Sequence, residues 1–356
     1  MKDSTLNEWT RLGDSGLTSN ILFLEGFENS ANIYVIENDG EISLIDTGND
    51  YTAFPELFDL YRVDEISSVF LTHSHNDHSL GLVDLLQYYP DFGNLDLYVH
   101  EVFHERLRKV IEYFERDIRI KTLIGGEKIR LSGEKFEVLK TPGHTIDSLS
   151  LYHPDERILF SGDAVSAKPV IDDMLGGRLM DFIISLRYLR KKDIELILPG
   201  HTLPGLNRDN EILDRAYLKA IGFLSSNYSL VESAREAIRL DMVEEALFAL
   251  EKQIEFEPED EEAKKLYASI LADTGEIERA ITILKEVPES ADTLYLLGMV
   301  SIKYGRLEEA EKYLKKSLKM KDEKITRMAL VSVLVEMGKI EEAKKFPEFK
   351  IVERFS

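Results

Sequence analysis

Up to about residue 205, apolar and β-branched residues arrive in short runs set off by glycine, proline, asparagine or aspartate. The runs are Asn20–Leu24, Ile33–Ile36, Ile42–Ile45, Val69–Leu71, Leu95–Val99, Phe136–Leu139, Leu149–Tyr152, Ile158–Phe160 and Leu196–Leu198. Runs of this length with such punctuation predict β-strands. Asn38-Asp39-Gly40, between the second and third, predicts a hairpin turn. A helical period over Leu80–Tyr89, Val102–Phe114 and Met180–Arg190 predicts helices among the strands. This part of the chain therefore reads as α/β.

From about Asn210 the strand pattern stops, and Leu, Ala, Glu and Lys recur at helical spacing. Gly275-Glu-Ile-Glu-Arg-Ala280 matches Gly305-Arg-Leu-Glu-Glu-Ala310 and Gly338-Lys-Ile-Glu-Glu-Ala343. Asp241-Met-Val-Glu-Glu-Ala246 is a fourth copy without the glycine, and the alanines stand 34, 30 and 33 residues apart. Small residues let paired helices approach closely, and each pair buries its face against the next. The period, with Leu294, Leu297, Gly298 and Pro258 at matching offsets, resembles tetratricopeptide repeats. A non-repeating helical bundle is the competing reading, favoured by the 30-residue step. The expected division is a catalytic domain over residues 1–225 and all-α helical repeats over 226–356.

Composition narrows the function classes. The chain has 356 residues, 44% of them apolar, and no cysteine, which excludes disulfides, thiolate zinc sites and cysteine nucleophiles. The net charge is −22, divided as −15 over residues 1–225 and −7 over 226–356. So acidic a surface disfavours nucleic acid and anionic membranes and suits a cation site. No run of about 18 apolar residues occurs, and the polar start MKDSTLNEWTRLGDSG has no signal-peptide core. A cytoplasmic protein is expected.

The chemistry concentrates in the eight histidines. Three lie in Thr72-His-Ser-His-Asn-Asp-His78, directly after a predicted strand. So many polar groups cannot enter an apolar core without partners, whereas imidazoles and a carboxylate at a strand end can converge on zinc, iron or manganese. Thr141-Pro-Gly-His144, Ser161-Gly-Asp163 and Pro199-Gly-His201 each follow another predicted strand, with a glycine that lets the backbone turn beside the candidate ligand. Four strand ends thus deliver His or Asp to one edge.

This motif set, over roughly residues 20–205, resembles the metallo-β-lactamase superfamily. The resemblance implies an αββα sandwich. It assigns His73, His75 and His144 to a first metal and Asp77, His78 and His201 to a second, with Asp163 bridging. Asp46, in Leu44-Ile-Asp-Thr-Gly48, would hold backbone or ligand imidazoles from behind. The implied cofactors are two divalent metal ions, zinc first, with iron or manganese as options. The implied chemistry is attack by a metal-bridged hydroxide on an ester, thioester or lactone-type small molecule, with Asp77 orienting the nucleophile or moving a proton. The lack of cysteine excludes the β-lactamases that use one at the bridging position. The 37 residues between Asp163 and His201 leave no room for the inserted domain of the family's nucleases. The pattern is similar to glyoxalase II-like thioesterases and lactonases. Asp147 departs from it, standing where the family often has glycine. Two other readings are a persulfide dioxygenase-like enzyme using one iron, and an interaction protein acting mainly through its repeats. Expected partners are a small-molecule substrate and a protein, a peptide or a second copy on the repeats, with neither nucleic acid nor membrane.

Two further patterns compete. His100-Glu-Val-Phe-His104 fits a zinc-protease helix motif, but His100 ends a predicted strand, so the pair is not set within one helix. Arg187-Tyr-Leu-Arg190-Lys191-Lys192 offers cations for an anionic substrate, but more simply complements the end of a helix.

Overall fold

The computed structural model describes residues 9–88, 95–103, 105–114, 118–166 and 169–352. The chain forms two compact units, Met1–Ala220 and Ile221–Ser356.

The first unit contains two mixed sheets. Strands β1 (Thr10–Arg11), β2 (Ile21–Leu24), β3 (Ile33–Asn38), β4 (Glu41–Ile45), β5 (Ile66–Phe70), β6 (Leu95–His100) and β7 (Ile118–Leu123) form one sheet in that order. Strands β8 (Lys128–Leu131), β9 (Glu134–Lys140), β10 (Leu149–His153), β11 (Ile158–Gly162), β12 (Leu196–Pro199) and β13 (Gly205–Leu206) form the other, also in sequence order. Alternation along each strand sorts its side chains into two layers. Phe23, Tyr34, Ile36, Ile45 and Phe70 face the second sheet and pack with Phe136, Val138, Leu151 and Phe160. Their neighbours Leu22, Val35, Leu44 and Val69 point the other way, onto helices α1 (Ala53–Leu60), α3 (Gly81–Tyr88) and α4 (Glu105–Phe114). A one-turn helix, α2 (Asn76–Ser79), precedes α3. Helices α5 (Leu179–Arg190) and α6 (Glu211–Gly222) follow strands of the second sheet.

The hairpin joining β3 and β4 turns through Asp39 and Gly40, both left-handed at φ 50° and 79°, the geometry a two-residue turn needs to match strand twist. All nine expected strands are present. Strands β7 and β8 and helix α1 had no expectation. Strand β7 is an edge whose residues Arg119 to Thr122 are exposed, so its pattern shows no apolar run. The helix expected from Val102 begins at Glu105, because Val102 and Phe103 lie in a turn after β6. Strand β6 ends on His100, whose Nδ1 accepts from the Val102 amide at 3.1 Å. His104 lies outside the described residues. The basic cluster is engaged in structure: Arg190 donates to Asp214 at 2.6 Å and Lys192 to Glu137 at 2.9 Å.

The second unit is helical: α7 (Leu230–Arg239), α8 (Val243–Phe256), α9 (Glu261–Asp273), α10 (Ile277–Glu286), α11 (Ala291–Lys303), α12 (Leu307–Met320), α13 (Lys324–Glu336), α14 (Ile340–Ala343) and α15 (Phe349–Val352). The four sequence copies share one backbone device. Gly275, Gly305 and Gly338 have φ of 94°, 71° and 72°, and Asp241 takes the same place at 60°. In each copy the next amide reaches back to the carbonyl five residues earlier, as in Glu276 to Leu271 at 2.7 Å and Met242 to Ala237 at 2.8 Å. This is the left-handed helix stop that satisfies orphan carbonyls. The repeated alanines, Ala246, Ala280, Ala310 and Ala343, are fully buried. Among the described residues no helix is long and apolar enough to cross a membrane.

Candidate metal centre

Each candidate ligand leaves the end of a strand. Asp46 follows β4, His73 to His78 follow β5 and enter α2, His144 follows β9, Asp163 follows β11, and His201 follows β12. The structure brings all seven proposed ligands to one edge, in three overlapping groups whose candidate atoms lie within 4.8 Å of one another. These are His73, His75 and His144; His73, His78 and Asp163; and Asp77, His78 and His201. The Asp163 carboxylate joins the groups: Oδ1 is 3.3 Å from His78 Nε2, and Oδ2 is 3.4 Å from His144 Nε2 and 3.7 Å from His201 Nε2. A β-carbon on Gly200 would lie 2.4 Å from Asp163 Oδ1 and 2.5 Å from His78 Cε1, so the residue before His201 has no room for a side chain.

Hydrogen bonds behind the imidazoles decide which nitrogen faces inward. Asp46 accepts from the Thr72 amide at 2.7 Å, the Thr72 hydroxyl at 2.8 Å and His78 Nδ1 at 2.7 Å. With its own proton given to Asp46, the Thr72 hydroxyl accepts from His73 Nδ1 at 3.1 Å. His144 Nδ1 donates to the Val170 carbonyl at 2.8 Å, and His75 Nε2 donates to Asp172 at 2.9 Å. Four imidazoles thus keep one ring nitrogen on an outer partner and turn the other toward the cluster. His73 Nε2 and His144 Nε2 approach His75 Nδ1 to 3.0 and 2.9 Å. His78 Nε2 is fully buried without a hydrogen-bond partner, and Asp163 Oδ1 stands 3.3 Å from it. Nitrogen and oxygen donors converging this way fit a divalent cation such as zinc or iron.

Electrostatics divide the rings: despite burial, the carboxylates of Asp163 and Asp46 hold His78 well above its ordinary range, and the hydrogen bond to Asp77 raises His201. Burial holds the His73 and His144 imidazoles below their ordinary range, keeping them neutral. Burial opposes ionisation of Asp163, but the surrounding imidazoles, His78 foremost, outweigh it and hold the carboxyl far below its usual range. Asp77 is similar: burial raises it, while the hydrogen bond from His201 at 3.1 Å and the nearby His78 lower it further.

Three supporting residues escaped the sequence reading. Asp172 orients His75 across 97 positions of chain. Asn32 donates to the carbonyls of Pro199 and Thr202 at 2.9 and 2.7 Å, clasping the loop of His201 from both sides. Thr72 relays Asp46 to His73. Asp147 is the residue at which the sequence departs from the pattern it otherwise resembles. It is buried, and its Oδ2 accepts from the Ser74 amide at 3.1 Å and from the Ser74 hydroxyl. It therefore fastens the turn between His73 and His75 to the loop of His144.

Residues 26–201 match the model of the Metallo-beta-lactamase superfamily, and the chain carries a domain of that superfamily. Residues 240–317 match the model of subunit 3 of the anaphase-promoting complex, or cyclosome, and the helical unit is similar to tetratricopeptide repeats. An atrochrysone carboxyl ACP thioesterase of Paecilomyces divaricatus is 26% identical over 184 residues, 49% of this chain and 52% of the relative. A hydroxyacylglutathione hydrolase of Bartonella tribocorum is 29% identical over 175 residues, 49% of this chain and 60% of the relative. The chain thus spans between half and two thirds of the length of these two relatives. A metallo-beta-lactamase family protein from Thermus thermophilus aligns over 67% of this chain and 94% of its own, at 21% identity and a TM-score of 0.44. An archaeal superfamily protein from Sulfolobus tokodaii aligns over 58% and 87%, at 21% identity and a TM-score of 0.43.

Proposed function

We propose that this chain is a metal-dependent hydrolase that cleaves an ester, thioester or lactone bond in a small molecule. The observation that carries the reading is the convergence of ring nitrogens and a carboxylate from three strand ends, His73 Nε2 and His144 Nε2 lying 3.0 and 2.9 Å from His75 Nδ1, with Asp163 beside them. Nitrogens at that separation need a proton or a metal ion among them, and the clustered donor set suits a metal ion. His73, His75 and His144 would hold one divalent ion and Asp77, His78 and His201 a second, with Asp163 reaching both. Zinc is the expected metal, and iron or manganese suits the same donors. Such ions supply a water-derived nucleophile at neutral pH and polarise a carbonyl.

The chain's own part is placement and proton handling. Asp46, Asp172 and the Val170 carbonyl fix the rings, so little reorganisation accompanies ion binding. Asp77 is partly exposed and ionised, and it can orient an attacking water or hold its proton. The thioesterase and glutathione-thioester hydrolase relatives support the bond class. The helical repeats, taken as the part after residue 225, serve as a surface for a protein or peptide partner or a second copy.

The test is elemental analysis of protein purified without added metal, beside hydrolysis of a thioester and a lactone. About two ions per chain and cleavage that disappears on chelation are expected. A single iron, with oxygen uptake on glutathione persulfide and no hydrolysis, overturns the reading in favour of a dioxygenase.

A further inference from the structure

Beside the candidate metal centre lies a cleft of about 550 Å³, within the range that holds small organic ligands. Its walls are chained to the proposed ligands. Ser74 stands between His73 and His75, Ile146 follows His144 by two positions, and Met174 and Leu175 follow Asp172, which holds His75. Val102 and Phe103, in the turn after β6, complete the wall, and the Arg108 guanidinium lies over the Phe103 ring at 4.6 Å.

The lining is mixed: Val102, Phe103, Ile146, Met174 and Leu175 form an apolar strip that is presented to solvent, and Glu101, Glu105 and Asp147 border it. Met174 is 92% exposed, Val102 52% and Ile146 48%. An apolar ligand segment laid along this strip leaves water favourably, and methionine adapts to chains of varied shape. The exposure is also built in. The Asp172 side chain accepts from the amides of Met174 and Leu175 at 3.0 and 3.2 Å, and the Ile146 amide donates to the Leu175 carbonyl at 3.0 Å. One short loop therefore orients a proposed ligand through Asp172 and displays Met174 beside it.

A thioester has two arms. The thiol arm of carriers and peptides is polar and rich in amides, so the apolar strip matches the acyl arm, and the carboxylates of Glu101, Glu105 and Asp147 beside it disfavour an acyl chain that carries a negative charge. We propose that the cleft over Val102, Ile146 and Met174 is the acyl subsite and that the substrate carries an uncharged hydrocarbon acyl chain of medium length. This rests on the hydrolase reading for its chemistry, but the subsite can be tested without turnover.

The full-length protein is assayed with acetyl, butyryl, hexanoyl and octanoyl thioesters of N-acetylcysteamine. The octanoyl ester is expected to exceed the acetyl ester in kcat/KM by about tenfold or more, since each buried methylene adds attraction. Met174→Ser and Ile146→Ser should each cut that ratio several-fold, Met174→Leu should restore it, and Ile120→Ser on strand β7 should leave it unchanged. In parallel, protein labelled with 13C-methyl methionine is titrated with octanoate and with acetate. The methyl signal of Met174, identified by its loss in Met174→Leu, should move with octanoate alone. Equal turnover at every length with a Met174 signal unmoved by octanoate overturns the subsite and keeps the hydrolase. An octanoate shift at Met174 with no thioester cleaved keeps the subsite and overturns the hydrolase.

Discussion

In the first unit, residues that touch are far apart in the chain; in the second, they are one repeat apart. Asp46 and His201 bracket an edge to which five strand ends contribute, and the carboxylates and imidazoles there are largely buried. In the helical unit Glu245 and Glu348 are buried, but many charged pairs stand on the surface and join neighbouring repeats. Lys303 pairs with Asp273 across 30 positions, and Arg306 with Glu278 and Lys339 with Glu311 each across 28. These exposed pairs are each worth about 0–1 kcal/mol and report little beyond the period of the repeat. Buried ring nitrogens and carboxylates crowded this closely are costly unless a proton or a ligand lies among them. Charged residues therefore point to function in the first unit by convergence, and to packing in the second by repetition.

The sharpest way to break this contrast is to remove one carboxylate from each unit. Asp163→Ala should bring metal content below two ions per chain and lower kcat/KM by about a thousandfold or more, since several kcal/mol of charge stabilisation are lost. Glu311→Ala, which removes a carboxylate joined to Lys315 and Lys339, should leave metal content unchanged and move stability by no more than about 1 kcal/mol. Elemental analysis and denaturant titration measure both. A fully loaded, active Asp163→Ala protein would end the bridging assignment.

A smaller effect is expected at Asp147. Asp147→Gly, the residue that the resemblance leads one to expect there, frees the turn between His73 and His75 and should weaken metal affinity by about 10–100-fold. Asp147→Asn keeps an acceptor for Ser74 and should recover most of it. Competition with a chromogenic chelator measures the difference; equal affinities in all three proteins would make Asp147 a bystander. Smaller again is the effect on the site of ending the chain at Tyr228. All seven proposed ligands precede that point, so metal content should be unchanged and one unfolding step should vanish from calorimetry. A soluble, folded truncation without metal would join the repeats to the site's scaffold.

What could be read from the sequence follows from how local each cause is. The ligand-bearing strand ends were legible because an apolar run, a glycine and a His or Asp follow one another within a few positions. The helical repeat was legible through Ala246, Ala280, Ala310 and Ala343. Asp172 and Asn32 were not, because each acts on residues more than 90 positions away and neither sits in a motif. Strands β7 and β8 escaped because edge strands expose charged side chains where a buried strand shows an apolar run. Asp147 lies between these cases. Its oddity was visible in the sequence, but its bond to Ser74 belongs to the tertiary structure.

The smallest predicted effect tests whether the fourth copy is a repeat in the physical sense. Asp241 is exposed, sits at φ 60°, and is followed by the same backward hydrogen bond as the three glycines. A left-handed backbone costs an ordinary L-residue about 1–2 kcal/mol, less for aspartate, and glycine adopts it freely. Glycine also loses more chain entropy on folding, which offsets part of the gain. Asp241→Gly should therefore stabilise the helical unit by about 0.5–1 kcal/mol, read as a higher denaturant midpoint for that unit with unchanged metal content. Gly305→Ala should shift the same midpoint down by a similar amount. If Asp241→Gly instead destabilised the unit, the Asp241 side chain would be contributing a contact of its own. The first turn would then be a stop of different origin that happens to share the geometry of the other three.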